Sequence, residues 1–514
     1  MELRINRETV PAADIIYSGV QEQSVELDYI LPDYYPDIFR LVRCEVVPVI
    51  TEWSLSGNKL SYGLRCDIRL LYCGENGSVL QCVSQRQNFS KTAELSRTAE
   101  NPDIAITAKT DHINFRAVNK RRLDVRGAVS VKINVTGEKQ QEIISDAYGM
   151  NIQLKKAPVH FASDRLSAEK TVQLSEETQI SESQSAVSSV IYVNCTAGDC
   201  EKKIISGKLL AKGELKTNIL YSGENGQLEP MLFTLPFSQI LDIDGIDENY
   251  DTIVKAEVIS CDITPSAGKD GENRLLKCEP EIRISCQAVK TSDVLAAVDA
   301  YSTVYPCDVE YSAIQVQQQP AVYSESFRHT AKLSEGSDLP AEVYSVWCTP
   351  RNINTRISDD RRSVIIAGML TYSMAAKDQS GMMIMPDRDE TFEEQIEIGS
   401  DLAGAYVSAE LLSPTVSYNI SSEGVLTAKA DIPVKINASS AADIRAVTSI
   451  SVNDSVKKKR DGDYAIKLYF GVENEDVWDI AKRYSTDASA IMEENDLTSE
   501  KLESGGMLLI PIKE

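Results

Sequence analysis

Only three histidines, His112, His160 and His329, occur in the 514 residues, and none has a second His or Glu at metal-ligand spacing. No Gly-x-Ser-x-Gly elbow marks a nucleophilic serine. No GxxxxGK[ST] loop and no strand–GxGxxG–helix unit is present to cradle phosphates. Cys195 and Cys200 have four residues between them and no second pair, which is not a zinc framework. The run DIDGIDENYD (242–251) gathers Asp242, Asp244 and Asp247 around Gly245, but its glycine falls too early for a calcium loop, so a turn between strands is expected. The sequence therefore predicts no catalytic residues, no metal site, no cofactor and no enzymatic activity. The residues best suited to recognition lie near the C-terminus. Glu473, Asn474, Glu475 and Asp476 stand just before Val477 and Trp478, the latter an aromatic that serves either as the core of a small domain or as an interface anchor.

The elements that must position these residues read strand, helix, helix, strand over 464–514. IKLYF is strand-like. VWDIAKRY places Val477, Trp478, Ala481 and Tyr484 on one helical face. Asp487 is a plausible N-cap for ASAIMEEN, Gly505 and Gly506 make a turn, and MLLIP is a final strand. The partner-binding face expected from this arrangement comprises Asn474, Glu475, Asp476, Trp478, Leu502, Ser504 and Gly505.

These residues resemble a LysM domain, an α+β module of βααβ order. The family's Trp-x-Ile-Ala start falls on Trp478, Ile480 and Ala481, its helix-closing tyrosine on Tyr484, and its Asn-x-Leu on Asn495 and Leu497. Its Gly-x-x-Leu-x-Ile-Pro ending falls on Gly505, Leu508, Ile510 and Pro511. Glycan-binding members carry a Pro-Gly-Asp-Thr-like turn where this chain has Glu473 to Asp476. With three carboxylates there, a basic protein surface is the expected partner, and a peptidoglycan- or chitin-type glycan is the alternative.

Upstream, the chain repeats itself. LLYCGENG (70–77) returns as ILYSGENG (219–226), and each tyrosine is followed by a phenylalanine, Phe89 and Phe237. A weaker third copy begins at Gly368, with Ala376 in the tyrosine place and Phe392 following. AEVIS (256–260) and AELLS (409–413), VKIN (131–134 and 434–437) with IRIS (282–285), and SDAY (145–148) and VDAY (298–301) keep the same order. Runs such as LDVRGAVSVKINV alternate with period two, as half-buried strands do. The GENG and DQSG segments are hairpin chemistry. The expected fold is mainly β: three tandem sandwich- or barrel-like repeats at 20–150, 165–305 and 320–450, a linker at 451–463, and the small α+β module at 464–514. Each repeat opens with a segment, at 36–42, 185–191 and 340–346, whose apolar positions three apart predict a turn or two of helix.

The repeats with LPDYYPDIFRLV (31–42), together with the LysM-like tail, resemble the SPOCS-domain proteins of endospore-forming bacteria, in the architecture of the SipL-type spore-coat morphogenetic family. The resemblance implies a mother-cell protein at the forespore surface that binds the coat-basement ATPase, and other coat proteins, and promotes coat assembly. Composition is compatible: 42% apolar and 25% charged residues are globular values. A net charge of −24 disfavours nucleic acid and anionic membrane surfaces. The one short basic run, Lys457 to Arg460, is expected to be a solvated linker. The opening MELRINRETVPAADIIYS has no apolar run of signal length, and no stretch approaches the ~20 residues of a membrane span. A cytoplasmic setting with no membrane insertion, and reduced cysteines acting as small hydrophobes, is the expectation.

Overall fold

The computed structural model describes residues 2–74, 80–98, 102–268, 271–317, 320–459 and 464–512. Most of GENG in the first copy (75–77) and Arg460 to Asp463 of the linker lie outside them.

The first repeat consists of β1 (Arg4–Ile30), β2 (Arg40–Ser56), β3 (Lys59–Cys73), β4 (Leu80–Glu94), β5 (Asp103–Asn119) and β6 (Arg122–Tyr148). The second has β7 (Ile152–Gln173), β8 (Glu176–Gln179), β9 (Val187–Ile205), β10 (Lys208–Gly223), β11 (Leu228–Asp242), β12 (Asp251–Ser266) and β13 (Leu275–Ser302). The third has β14 (Cys307–Gln317), β15 (Ala321–Glu335), β16 (Glu342–Ile357), β17 (Ser363–Lys377), β18 (Met383–Ile384), β19 (Asp387–Glu397), β20 (Ala405–Leu411), β21 (Thr415–Ile420) and β22 (Val425–Val452). In each repeat three central strands form one sheet: β2-β3-β4, β9-β10-β11 and β16-β17-β19. The flanking strands form the facing sheet, β1-β6-β5 and β7-β13-β12, while β22 pairs with β14, β15, β20 and β21. The sheets are open, every strand pairing described is antiparallel, and they stack as sandwiches rather than closing into barrels. Alternation drives this: β6 buries Val129, Val131, Ile133 and Val135 against Leu64, Cys66 and Ile68 of β3.

The hairpin turns expected at GENG and DQSG are present where described. Gly226 (φ +75°) and Gly381 (φ +78°) take the left-handed conformation that closes them. DIDGIDENYD is a turn between β11 and β12, with Asp247 Oδ1 accepting the Asn249 amide at 2.8 Å.

The expected helical turns are not formed. PDIFRLV enters β2, SAVSSVI enters β9 and PAEVYSV enters β16. The spacing of three has another origin. Each strand carries a one-residue bulge at the corresponding place. Leu41 pairs with Tyr72 and Arg43 with Leu71, leaving Val42 extra. Val190 pairs with Tyr221 and Tyr192 with Leu220, leaving Ile191 extra. Val343 pairs with Ala376 and Ser345 with Ala375, leaving Tyr344 extra. A bulge shifts alternation by one, and in the second and third copies one lies between the spaced apolar positions, at Ser188 between Val187 and Val190 and at Tyr344 between Val343 and Val346, so they face the same way without a helix; in the first copy Ile38 precedes β2 and only Leu41 is in the strand.

The bulged residues turn inward. Val42, Ile191 and Tyr344 meet Leu71, Leu220 and Ala375 in one apolar cluster shared by all three repeats. At its edge the Tyr192 and Trp347 rings stack at 5.2 Å and the Arg43 guanidinium lies 5.7 Å over Trp347. Two further clusters are built from the long hairpins. Val10 and Ile143 meet Val159, Phe161, Val294 and Ala296, and Ile314, Val316 and Ala446. Ile144 and Ala147 meet Ala297 and Ala300, and Val447 and Ile450. The repeats thus converge on a common centre, and β1 joins β14 through the Ala12–Val316 pair. Strand pairing reaches beyond the bounds read from sequence, with Arg4 opposite Tyr148, Ile152 opposite Ser302 and Cys307 opposite Val452. No helix among the described residues is long and apolar enough to cross a membrane.

Candidate protein-interaction site on the C-terminal module

The C-terminal module is β23 (Ile466–Gly471), α1 (Val477–Tyr484), α2 (Ala488–Glu494) and β24 (Gly506–Pro511), in the expected strand, helix, helix, strand order. Its core is Val477, Ile480, Ala481, Ile491, Leu502, Leu508 and Ile510. Asp476 caps α1 by accepting the Trp478 amide at 2.9 Å, and Asp487 caps α2 through the Ser489 amide at 2.9 Å. Asn495 pins β24 to α2: its amide donates to Ile491 O (2.8 Å) and Leu509 O (2.7 Å), and its Oδ1 accepts the Leu509 amide (2.7 Å).

The loop Glu473–Asp476 keeps its turn without a glycine, because Asn474 takes φ +66°, a conformation asparagine tolerates. The two loops of the predicted face meet. Asn474 N donates to Leu502 O (2.8 Å) and Leu502 N to Glu475 O (3.0 Å). Of the predicted residues, Asn474, Ser504 and Gly505 are exposed, while Leu502 is buried in the core. The carboxylates are largely committed. Glu475 accepts the Tyr469 hydroxyl (2.6 Å) and the Val472 amide (3.2 Å), and Asp476 is ion-paired with Lys155 of β7.

Trp478 points away from that face. It is 9% exposed and packs edge-on against Tyr301 of β13, with ring centroids 4.8 Å apart. Its indole Nε1 donates to Asp299 Oδ2 at 2.8 Å. Lys482 Nζ donates to both Asp299 oxygens at 2.7 Å, Tyr311 OH to Oδ1 at 2.5 Å, and Tyr301 OH to Thr486 O at 2.7 Å. Burial opposes ionisation of Asp299, but the hydrogen bonds from Lys482, Tyr311 and Trp478 outweigh it and hold its pKa below the usual carboxylate range. Helix α1 is therefore docked on the β body. The linker is docked as well: Lys458 Nζ donates to Ser302 O (2.6 Å) and Ser485 Oγ (3.1 Å), rather than lying in solvent.

Sequence reasoning missed two features here. Asp299 and Tyr301 belong to VDAY, a repeated motif whose role as a dock was not apparent. The second feature is the outward face of the module's sheet. Ile466, Leu468, Phe470 and Val472, with Met507 opposite Phe470, are between 47% and 65% exposed. The alternation in IKLYFGV was its signal. The three histidines stand apart: His160 contacts Asp293, His329 lies 2.9 Å from the Tyr372 hydroxyl, and His112 is in β5. The described residues contain no cluster of three or more metal-ligating side chains.

The SipL, SPOCS domain family matches residues 186–265, from the start of β9 to the end of β12, and the LysM domain family matches 472–511. No curated protein and no solved structure matches the chain. The SipL family is one of sporulation, and this chain carries its SPOCS domain together with a C-terminal LysM domain.

Proposed function

We propose that this is a non-enzymatic spore-coat assembly protein of the mother cell, which binds a coat-basement protein at the forespore surface through its LysM module. The coat-basement ATPase is the partner implied by the resemblance to the SipL-type family. We further propose three assembly modules at about 20–150, 165–305 and 320–450, with 451–463 linking them to the module at 464–514. The observation that carries the binding role is the exposed apolar row Ile466, Leu468, Phe470, Val472 and Met507. An apolar row this contiguous on a small acidic module is the signature of a protein contact. Asn474, Ser504 and Gly505 lie exposed on the loops beside it and complete the proposed partner-binding region; of the other residues expected there, Glu475 and Asp476 hold the loop, Leu502 supports it from the core, and Trp478 is turned to the β body and positions the module rather than touching the partner. The LysM match itself supports a second reading, recognition of a peptidoglycan- or chitin-type glycan by the same loops.

The test uses the full chain. Wild type and a Leu468→Glu, Phe470→Glu variant are titrated against the purified coat-basement ATPase and against N-acetylglucosamine oligomers. The proposal expects binding to the ATPase that the variant loses by at least tenfold, and no tight glycan binding. An unaffected variant, or micromolar glycan affinity without ATPase binding, overturns it.

A further inference from the structure

Strands β9 and β12 are edge strands of the two facing sheets of the second repeat, and they run side by side. Cys195 on β9 and Cys261 on β12 meet there, both partly buried against the repeat's core. Both also line a cavity of about 220 Å³ between the first and second repeats, with Arg69, Arg86 and Asp262 on its wall. We propose that Cys195 and Cys261 are a peroxide-sensitive thiol pair that closes to a disulfide, stapling the two sheets of the second repeat along their shared edge.

The side-chain arrangement fits this chemistry. The Thr217 hydroxyl donates to Cys195 Sγ at 3.4 Å, and Cys261 lies on the neighbouring strand against the same cavity. A hydroxyl donor on the sulfur favours its thiolate, the form that attacks an oxidant. Each of the two thiols shifts the other, Cys195 downward and Cys261 upward, so the pair gives up one proton well before the second. Burial pushes others up, to about 12 at Cys44 and Cys348 and to about 11 at Cys66, Cys278 and Cys286. In the reaction the Cys195 thiolate attacks hydrogen peroxide and breaks the O–O bond, giving a sulfenic acid and one water. The Cys261 thiol then attacks the sulfenic sulfur, forming the S–S bond and releasing the second water. Two thiols are oxidised and one peroxide is reduced. The cavity admits the peroxide to the sulfurs, and Cys261 is already in place as the resolving thiol.

The experiment treats the full chain with a small excess of hydrogen peroxide, then labels the remaining thiols and maps linkages by tandem mass spectrometry. The expected result is loss of two labelled thiols, a Cys195–Cys261 linkage that forms before any other, a higher thermal midpoint, and full reversal by dithiothreitol. Cys261→Ser is expected to leave Cys195 as a sulfenic acid trapped by dimedone, and Thr217→Val to slow the reaction several-fold. The idea is overturned if another pair links first, if wild-type Cys195 is trapped by dimedone without crosslinking, or if neither cysteine reacts ahead of the rest.

Discussion

At the scale of single residues, Asp299 decides where the LysM module sits. Its carboxylate accepts from Trp478, Lys482 and Tyr311 at once. Replacing it by alanine strands an indole N–H and an ammonium in a half-buried interface. The expected cost to docking is about 2 kcal/mol, roughly a thirty-fold shift towards the undocked module. Hydrogen exchange checks this, since protection should fall in α1 and at the Tyr301 end of β13 while β3 and β10 stay unchanged. The same group sets a pH response. Because its pKa is depressed in the docked state, its contribution is complete above the free-carboxyl value near pH 4 and is lost as pH falls through the docked value. Wild-type docking should therefore weaken on acidification below about pH 4, and Asp299→Asn should remove most of that dependence. An acid response of the same size in Asp299→Asn would assign it elsewhere. None of this was readable from Asp299 alone. The tyrosine and aspartate of VDAY look like ordinary strand residues until α1 is placed against them, and Trp478 is equally compatible with a core position and a docked one.

At the scale of elements, the LysM module was legible almost completely, because every signal in it is local. Asp476 and Asp487 cap their helices, Asn495 bridges α2 and β24, and the spacing of Ile480, Ala481, Leu508 and Ile510 spans only a few tens of residues. The openings of β2, β9 and β16 were not: in β9 and β16 a bulge mimics the first step of helical periodicity and only the partner strand reveals it, while Ile38 lies ahead of β2. The central strands show a further device. In β10 and β17 a glycine faces the phenylalanine of the next strand, Gly213 opposite Phe237 and Gly368 opposite Phe392. A Cβ at Gly213 would stand 2.6 Å from the Phe237 ring and 3.1 Å from Asp199 O. At Gly368 it would stand 2.7 Å from Ile353 Cδ1 and 3.1 Å from Arg351 O. The ring covers a bare backbone, so the repeated phenylalanine seen in the sequence has its reason in the cross-strand neighbour. In the first repeat Leu64 occupies the position opposite Phe89, so that repeat solved the same packing problem with a side chain. Gly213→Ala and Gly368→Ala should each destabilise by about 1–3 kcal/mol, read as lowered midpoints in denaturant. Near-neutral effects would mean that the rings move aside freely.

At the scale of the whole molecule, the decisive contacts are those between repeats, and they are the least legible in sequence. The Ala12–Val316 pair links strands about three hundred positions apart, and no local pattern announces it. A linear array of repeats would bury each repeat only against its neighbours, and removing the last one would leave the others folded. The arrangement here is closed. Ile144, Ala297 and Val447 each precede a bulged residue, Ser145, Val298 and Thr448, in β6, β13 and β22, and the three side chains meet in one cluster. Ile314, Val316 and Ala446 of the third repeat complete the neighbouring cluster around Val10 and Val159. A chain ended after Ser302 would expose both clusters and the β1 edge, an apolar surface beside an unpaired strand and thus an aggregation site. That truncated chain should be insoluble or should associate, whereas an array would yield a stable monomer of two repeats. In the full chain, Ile144→Ala should cost about 2–5 kcal/mol and lower the unfolding midpoint of all three repeats together. Size-exclusion chromatography with light scattering, and calorimetry, check the two outcomes. A soluble, monomeric two-repeat chain with an unchanged transition would show that the repeats fold independently and that the shared centre contributes little to holding them.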